Sequence, residues 1–269
     1  MQEILEAARQ IARKAGEILL ESRPNPARLK VLEFTSKTSP TDLVSAMDEA
    51  SENFIVKSIS QKFPTDGIVG EEGTNRAGTS GRNWIVDPLD GTINYLYGAE
   101  HWAVSIAMED SEGLVLGVVY APALRLEYFA LRGCGSTRID DRGETRLPGV
   151  VEVSLASALF ATGFSYESAK RREQAKDFLH ILPNIQDIRR KGSAALDLCM
   201  VADGSVNGYF EVGAKPWDYS AGVIIASEAG AVASGLFGKP VSPDYVICAA
   251  PHLQRSMVQL LESIENNKH

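Results

Sequence analysis

A short apolar run that ends in a stiff acidic turn, residues 84–95 (WIVDPLDGTINY), constrains the fold of this chain more than any other stretch. The apolar residues 84–86 predict a buried strand, because successive residues of a strand face opposite sides of a sheet. Pro88 cannot donate a ladder hydrogen bond, and Gly91 permits backbone angles that other residues avoid. We therefore expect regular strand pairing to stop at Pro88, in a turn of fixed shape.

Two carboxylates belong to this turn. Asp87 stands at the end of the predicted strand and Asp90 three residues later, so a rigid turn can direct both towards one point. The carbonyl of Leu89 lies between them without an expected ladder partner. Oxygen ligands that converge in this way suit a hard cation such as Mg²⁺. The alternative is an ordinary turn, because Asp-Pro and Asp-Gly are common turn dipeptides.

Other acidic residues also stand where a regular element begins or ends. Glu71 and Glu72 follow an apolar run in GEEG, and Asp218 opens an apolar helix in KPWD. Taken singly, the glutamates are explained by a solvated strand end and Asp218 by the positive end of a helix dipole. Three acidic sites of the same kind favour one shared metal site. The four histidines show no metal-ligand spacing, so we do not expect zinc.

Charge and cysteine content bound the possible partners. The formal net charge of -8 over 269 residues argues against nucleic acid or an anionic membrane as the main partner. Three widely spaced cysteines predict reduced thiols in the cytoplasm. The N-terminal stretch has helical spacing and no long apolar core, so we expect a surface helix of a soluble protein and neither a signal peptide nor a membrane span.

The hydrophobic spacing predicts two helices followed by a sheet in the first half of the chain. The first helix is expected from about residue 2 to the approach to Pro24. The second is expected from Ser45, as its N-cap, to about Phe63. Five short β-rich runs follow, and their close spacing predicts one antiparallel sheet.

The second half predicts alternating strands and helices. Strands are expected at ALFATG, VNGYFEV and VICAA, and helices at 167–182, 193–204, 217–230 and 251–266. A polar stretch near residue 145, RIDDRGETRLPG, predicts a boundary between sub-domains of about residues 1–145 and 146–269 within one domain.

The order and intervals of several motifs resemble those of the inositol monophosphatase family, which consists of Mg²⁺-dependent, lithium-sensitive phosphomonoesterases. The motifs are KTSPTDLVSAMD (37–48), GEEG (70–73), DPLDGTINY (87–95), RRKGSAALDL (189–198) and GYFEVGAKPWD (208–218). They cover nearly the whole chain. The resemblance implies an α+β fold, a layered αβαβα sandwich of the type shared with fructose-1,6-bisphosphatase, and a homodimer.

The same resemblance implies a set of metal ligands. Glu71, Asp87 and the carbonyl of Leu89 would bind a first Mg²⁺, and Asp87, Asp90 and Asp218 would bind a second. Asp87 would bridge the two ions, which in such sites serve the attacking and the leaving oxygen. A third, weaker Mg²⁺ is implied near Glu71.

The resemblance also implies catalytic and substrate-binding residues. A water activated by the first metal, beside Glu71, would be held by Thr92, whose hydroxyl pairs with Asp48, and no phosphoenzyme would form. From the residues alone, Asp48 also fits a helix cap and Ser193 an N-cap. The implied substrate-binding residues are Asp90, Gly91, Thr92, Gly192, Ser193, Ala194, Glu211 and Asp218.

Several alternatives remain open at the level of sequence. Inositol monophosphate is the favoured substrate, with Arg189 and Arg190 able to admit a second phosphate. The other family substrates are fructose 1,6-bisphosphate, histidinol phosphate and 3'-phosphoadenosine 5'-phosphate. A haloacid-dehalogenase phosphatase is a rival class, but its Asp-x-Asp-Gly-Thr motif differs in spacing from the aspartates at 87 and 90. A non-catalytic binding or regulatory role is the remaining alternative.

Overall fold

A computed structural model of the protein describes residues 1–23 and 46–267, and within these ranges it contains seven α-helices and thirteen strands. The helices are α1 (Gln2–Ser22), α2 (Ala46–Lys62), α3 (Thr92–Leu96), α4 (Ser168–Ile181), α5 (Ala194–Ala202), α6 (Pro216–Glu228) and α7 (Pro251–Asn266). The strands are β1 (Gly67–Gly70), β2 (Asn75–Arg76), β3 (Asn83–Asp90), β4 (Ala103–Asp110), β5 (Gly113–Ala121), β6 (Leu126–Leu131), β7 (Ser136–Asp140), β8 (Gly143–Arg146), β9 (Leu159–Thr162), β10 (Asp187–Arg189), β11 (Gly208–Glu211), β12 (Val232–Ser234) and β13 (Val246–Ala249).

Helices and sheets alternate in five layers. The first layer is α1 and α2, which cover one face of an eight-stranded sheet, β2-β1-β3-β4-β5-β6-β7-β8. Helices α5 and α6 fill the space between that sheet and a five-stranded sheet, β10-β9-β11-β13-β12. Helices α4 and α7 cover the outer face of the second sheet. The predicted αβαβα sandwich is confirmed.

Alternation along the central strands explains why both sheets are covered on both sides. In β3, Trp84 and Val86 pack in the core beneath α1 and α2, whereas Ile85 packs in the core around α5 and α6. In β11, Tyr209 faces the middle helices and Phe210 faces α7. Strands that are apolar on both faces therefore fix the position of each sheet between two helical layers.

The first sheet departs from the expected all-antiparallel pairing at one place. Strand β1 lies parallel to β3, with Ile68 opposite Trp84 and Gly70 opposite Val86. The chain between them first folds back as β2, which pairs antiparallel with the outer side of β1, and then returns to enter β3 in the same direction as β1. The antiparallel prediction is wrong for this pair, because local spacing does not encode the direction of a strand's partner.

The polar stretch near residue 145 forms a hairpin, where the sequence predicted a boundary loop. Strands β7 and β8 pair with Asp140 opposite Gly143, and the side chain of Asp140 accepts a hydrogen bond from the Arg142 N–H at 2.9 Å. Gly143 has a φ of 108°, which suits glycine. All four residues of β8 are exposed, so no apolar alternation marks it in the sequence. The division of the chain at this point stays a prediction.

The helices agree well with the spacing arguments. The N-terminal helix ends at Ser22, before Pro24, and the four helices expected in the second half are present as α4 to α7. Helix α2 ends at Lys62, one residue before the expected Phe63. Its predicted N-cap, Ser45, lies outside the described residues. Across the described ranges, none of the helices combines the length and apolar character that crossing a membrane requires.

An ion pair between a buried carboxylate and a partly exposed arginine ties the start of β1 to β3. Asp66 is fully buried and accepts hydrogen bonds from Arg82 at 2.9 and 3.1 Å and from the Trp84 indole at 3.0 Å. Burial alone would raise the pKa of Asp66, but the hydrogen bonds from Arg82, Ser80 and Trp84 outweigh it and lower that pKa below its ordinary 3.8. The ionised carboxylate therefore stabilises the fold.

We expect Asp66→Asn to reduce the free energy of unfolding at pH 7 by about 2 kcal/mol, because the buried carboxylate loses the charge that pairs with the partly exposed Arg82 guanidinium. The pKa of Asp66 is lower in the folded than in the unfolded chain, so its contribution is present above 3.8 and is lost as the pH falls below that value. Urea unfolding at pH 7 and at lower pH measures this. Asp141→Asn, at an exposed ion pair with Arg125, is the control and should change stability by less than about 0.5 kcal/mol. Equal losses in both variants would contradict the expectation.

Candidate active site

One cleft of about 580 Å³ is lined by all the residues that the sequence predicted as catalytic, metal-binding or substrate-binding. It opens where β3 ends, beside the loop after β1, and it is closed by the N-terminal ends of α5 and α6 and by the end of β11. The predicted residues that line it are Asp48, Glu71, Asp87, Leu89, Asp90, Gly91, Thr92, Gly192, Ser193, Ala194, Glu211 and Asp218.

The acidic turn is a bulge in β3, and the strand does not stop there. Asp87 pairs with Ser105 of β4, the register then shifts, and Asp90 pairs again with Ala103. The expectation that pairing ends at Pro88 is therefore wrong, since the bulge carries the proline past the ladder and pairing resumes after it. Both aspartates are almost fully buried, at 1% and 8% exposure, and both line the cleft.

Gly91 closes the bulge and begins α3. Its φ of 90° is the unusual angle that the sequence predicted. A Cβ at this position would lie only 3.0 Å from the carbonyl oxygen of His101 and 3.1 Å from that of Gly192. The glycine therefore lets the β3 turn approach the loop before α5 closely.

Hydrogen bonds within the turn fix the direction of its oxygen atoms. Asp87 Oδ1 accepts the Leu89 N–H at 2.9 Å, and the Thr92 hydroxyl donates to the Leu89 carbonyl at 3.0 Å. The carbonyl that was expected to lack a ladder partner is thus held by a side chain. Asp48, on α2, is 2% exposed and lines the same cleft. Its predicted pairing with the Thr92 hydroxyl stays a prediction.

Asp90 joins the turn to the first residues of α5. Its carboxylate accepts hydrogen bonds from the Ser193 hydroxyl at 2.5 Å and from the Ala195 N–H at 2.8 Å, with the Ala194 N–H at 3.3 Å. Ser193 also accepts the Leu196 N–H at 3.3 Å, so it is an N-cap as its sequence context indicates. The carboxylate lies at the positive end of the helix dipole.

Asp218 has a similar position at the start of α6. Its Oδ2 accepts the Lys215 N–H at 2.6 Å, which is one half of a capping box. Glu71, in the loop after β1, is hydrogen bonded to Asp87. Two carboxyl groups can share a hydrogen bond only when one of them carries a proton.

The carboxyl groups of the cleft raise one another's pKa. Burial and then the charges of Glu71, Asp90 and Asp218 raise the pKa of Asp87 well above its ordinary value. Loss of hydration, followed by the charge of Asp90, raises the pKa of Asp218 to about 8. Loss of hydration on the wall of the cleft also raises the pKa of the Glu71 carboxyl group, although the residue as a whole is exposed.

The same donor set suits a divalent cation. Four carboxylates and a carbonyl are all hard oxygen donors, and their shared excess of negative charge is what a bound cation would neutralise. Within residues 1–23 and 46–267, no three acidic, imidazole or thiol side chains are already arranged to hold an ion. The carboxylates of Asp90 and Asp218 accept hydrogen bonds from backbone N–H groups, and each still has lone pairs that a cation could use. The donor chemistry therefore fits a metal site.

The opposite wall of the cleft has hydrogen-bonding groups suited to an alcohol. Glu211, at the end of β11, accepts the Tyr209 hydroxyl at 2.6 Å. Burial raises its pKa to about 7 against the hydrogen bond from Tyr209 and the charge of Arg190. A Cβ at Gly163 would lie 2.1 Å from a Glu211 oxygen, so any side chain there would displace this carboxylate. A carboxylate in this position can accept hydroxyl groups.

The cleft differs from the sequence prediction in its arginines and in some further lining residues. Of the two arginines considered for a second phosphate, Arg190 lines the cleft, whereas Arg189 forms an ion pair with Asp187 at 2.6 Å. Arg189 is the last residue of β10 and Arg190 lies just beyond it, so the end of a short strand that the sequence does not mark separates them. Further lining residues without a sequence signal are Thr162, Gly163, Phe164, Tyr166, Asp197 and Trp217.

Comparison with known proteins decides the family. The profile of the inositol monophosphatase family matches residues 1–268. The chain belongs to the inositol monophosphatase family. This is a family of metal-dependent phosphatases, and the recognition made from the motifs is confirmed.

Individual members of the inositol monophosphatase family agree with this match. The inositol-1-monophosphatase of Mycobacterium bovis is 42% identical over 203 residues, which is 73% of this chain and 69% of that protein. The Nus factor SuhB of Pasteurella multocida is 34% identical over 97% of each chain. The crystal structure of the extragenic suppressor protein suhB from Bartonella henselae aligns with a TM-score of 0.84 at 30% identity, over 96% of this chain and 98% of that one.

Proposed function

We propose that this protein is a Mg²⁺-dependent phosphatase that hydrolyses inositol monophosphate to inositol and inorganic phosphate. The observation that carries the proposal is the shared cleft, into which Glu71, Asp87, Asp90 and Asp218 project from three elements of an inositol monophosphatase fold. The name of the Mycobacterium bovis relative, inositol-1-monophosphatase, supports the choice of substrate.

In the proposed site, Glu71, Asp87 and the Leu89 carbonyl would hold one Mg²⁺, and Asp87, Asp90 and Asp218 would hold a second. When bound, the two ions would supply positive charge beside the attacking and the leaving oxygen. Asp87 would contribute to both sites, since its carboxyl group is hydrogen bonded to Glu71 and faces the charge of Asp90. A third, weaker ion near Glu71 and inhibition by lithium belong to the same proposal.

Residues of the chain position the attacking water. The Thr92 hydroxyl is oriented by its 3.0 Å hydrogen bond to the Leu89 carbonyl, so its oxygen lone pairs are directed into the cleft. For Asp48, in the same wall, to take the proton of the water through Thr92, the Thr92 hydrogen would first turn from the Leu89 carbonyl to the Asp48 carboxylate. Thr92 would then receive the water's proton as it passes its own hydrogen to Asp48. Gly91 keeps the backbone N–H groups of the turn close to the phosphate oxygens.

The alcohol half of the substrate would lie against the second sheet and the middle helices. Glu211 accepts hydroxyl groups, and Gly192, Ser193 and Ala194 present backbone N–H groups at the start of α5. Asp90 and Asp218 lie on both sides of this region and would contact substrate and metal together.

Phosphate release from four esters tests the proposal. The purified protein in Mg²⁺ is given inositol 1-phosphate, fructose 1,6-bisphosphate, histidinol phosphate and 3'-phosphoadenosine 5'-phosphate. Preference for inositol 1-phosphate supports the full proposal, and preference for another ester keeps the chemistry but changes the substrate. No release from any of the four would reject the enzyme and favour a binding role.

The pH dependence of substrate affinity tests the role of Glu211. Because its pKa is raised to about 7, the carboxylate becomes ionised, and a stronger acceptor for hydroxyl groups, as the pH rises through 7. We expect the KM for inositol 1-phosphate to fall about fivefold between pH 6 and pH 8, the equivalent of about 1 kcal/mol. Glu211→Gln, which does not titrate, is the control for ionisation of the substrate phosphate. An identical KM profile in that variant would contradict the assignment.

A regulatory binding role is the second candidate, because the Pasteurella multocida relative is named Nus factor SuhB. The two roles do not exclude each other.

The free thiols of Cys134, Cys199 and Cys248 support a reducing, cytoplasmic location. A homodimer is also part of the proposal, and a sedimentation mass near the 29.1 kDa of one chain would reject it.

A further inference from the structure

Helix α2 carries a second buried carboxylate, Glu52, one turn after Asp48. Glu52 is only 5% exposed, and it belongs to none of the motifs that point to the site. Its two oxygens accept three hydrogen bonds, all from the loop that follows β1. Oε2 accepts the Glu72 N–H at 2.9 Å, and Oε1 accepts the Thr74 hydroxyl at 2.5 Å and the Thr74 N–H at 3.3 Å.

These hydrogen bonds hold the residues on both sides of the loop's turn. Glu71 lies immediately before Glu72, and its own N–H donates to the Val86 carbonyl of β3 at 3.2 Å. The Gly70 N–H donates to the Thr74 carbonyl at 2.7 Å and closes the loop. The backbone of Glu71 is therefore fixed by β3 on one side and by Glu52 on the other.

Gly70 makes the close approach of Glu52 possible. A Cβ at this position would lie 2.6 Å from Glu52 Oε2 and 2.8 Å from the carboxyl carbon. The absence of a side chain at Gly70 thus lets a carboxylate from a helix reach the backbone of the loop. Glu52 is directed at the loop and does not line the cleft, so it is not among the proposed ligands.

We infer that Glu52 is a positioning residue that sets the affinity of the first cation site by holding Glu71 in place. The inference rests on the proposed metal site. Residues that orient a metal ligand typically contribute 10- to 100-fold to metal affinity. Glutamine at this position has a single acceptor oxygen, and its amide would face N–H donors, so at least one of the three hydrogen bonds would be lost.

Glu52→Gln, compared with Glu228→Gln, tests the inference. Glu228 is a matched control, because it also clamps a loop by accepting the Gly133 and Gly135 N–H groups at 2.8 and 2.7 Å, but it lies away from the cleft. Calorimetric titration of the substrate-free protein measures the Kd for Mg²⁺. We expect Glu52→Gln to weaken binding about tenfold or more, with kcat at saturating Mg²⁺ within about threefold of the parent. Glu228→Gln should bind Mg²⁺ as the parent does.

Two results would overturn the inference: unchanged Mg²⁺ affinity in Glu52→Gln, or equal weakening in both variants. Should Glu52→Gln fail to fold, Thr74→Val removes only the hydroxyl donor, and unchanged Mg²⁺ affinity in that variant would overturn it as well. Hydrogen exchange of the Glu72 and Thr74 amides, measured without metal, separates the two proposals. If these amides exchange faster in Glu52→Gln, Glu52 holds the loop after β1. If the parent protein nevertheless binds no Mg²⁺, the proposed metal site is rejected, and the role of Glu52 in metal affinity is rejected with it.

Discussion

Asp87→Asn is expected to reduce kcat/KM for the preferred phosphate ester roughly 1,000-fold or more, because the proposed bridging ligand of two cations loses its charge. Asparagine keeps the size of the side chain and an oxygen that can accept the Leu89 N–H, which aspartate accepts at 2.9 Å. The turn should therefore keep its shape. Phosphate release in Mg²⁺ measures the loss.

The same substitution should stabilise the metal-free protein. Burial and the charges of Glu71, Asp90 and Asp218 all oppose ionisation of Asp87, so removing its carboxyl group relieves a conflict that Mg²⁺ would otherwise resolve. In thermal unfolding, we expect a higher Tm than the parent in chelator and a much smaller rise on adding Mg²⁺. Asp66→Asn, at an equally buried aspartate outside the cleft, should instead lose stability and keep its kcat. A parent-like rise in Tm with Mg²⁺ in Asp87→Asn would contradict the ligand role.

Asp48→Asn is expected to lower kcat by a factor of about 100 to 10,000, the usual range for loss of a general base. Asp48 lies in the wall of the cleft beside Glu71 but is not among the proposed ligands, so the concentration of Mg²⁺ that gives half-maximal rate should change little. Steady-state rates over a range of Mg²⁺ concentrations give both quantities. Normal turnover in the variant would leave Asp48 with a capping role only.

Asp48 and Glu52 therefore form an internal comparison on one helix. Both are buried carboxylates on the same face of α2, one turn apart. Loss of the first should lower kcat and spare Mg²⁺ affinity, and loss of the second should do the reverse. General damage to α2 would change both quantities in both variants, so the crossed pattern distinguishes two specific roles from a destabilised helix.

The helices and central strands could be predicted because burial leaves a local pattern. Helix α1 shows apolar residues at three- and four-residue steps, and β3 shows an unbroken apolar run. The edge strands β8, β10 and β12 are three or four residues long and contain no buried residue, so no such pattern marks them. The direction of β1 relative to β3 depends on how β2 folds back, which is a non-local property.

The candidate site was predictable to the extent that its residues stand in recognisable turns. Asp87, Asp90 and Asp218 are adjacent to proline, glycine or a helix start, where a carboxylate is unusual enough to notice. Glu52 is a glutamate within a helix, a common residue in a common place. Only its i, i+4 relation to Asp48 hints at a shared face. Its partners, Glu72 and Thr74, are brought to it by the fold, 20 and 22 residues along the chain.

The middle helical layer, α5 and α6, separates the sheet that carries the acidic turn from the sheet that lines the proposed alcohol pocket, so substrate specificity can change in one sheet without changing the other. Strands of the first sheet carry the acidic turn, whereas Glu211 comes from the second sheet and Ser193 from α5. Substitutions around β9 and β11 can therefore reshape the pocket for the alcohol while the groups proposed for phosphate chemistry remain in place. Such substitutions would alter which alcohol the pocket accepts while the proposed metal ligands, including Asp218 on α6, stay unchanged.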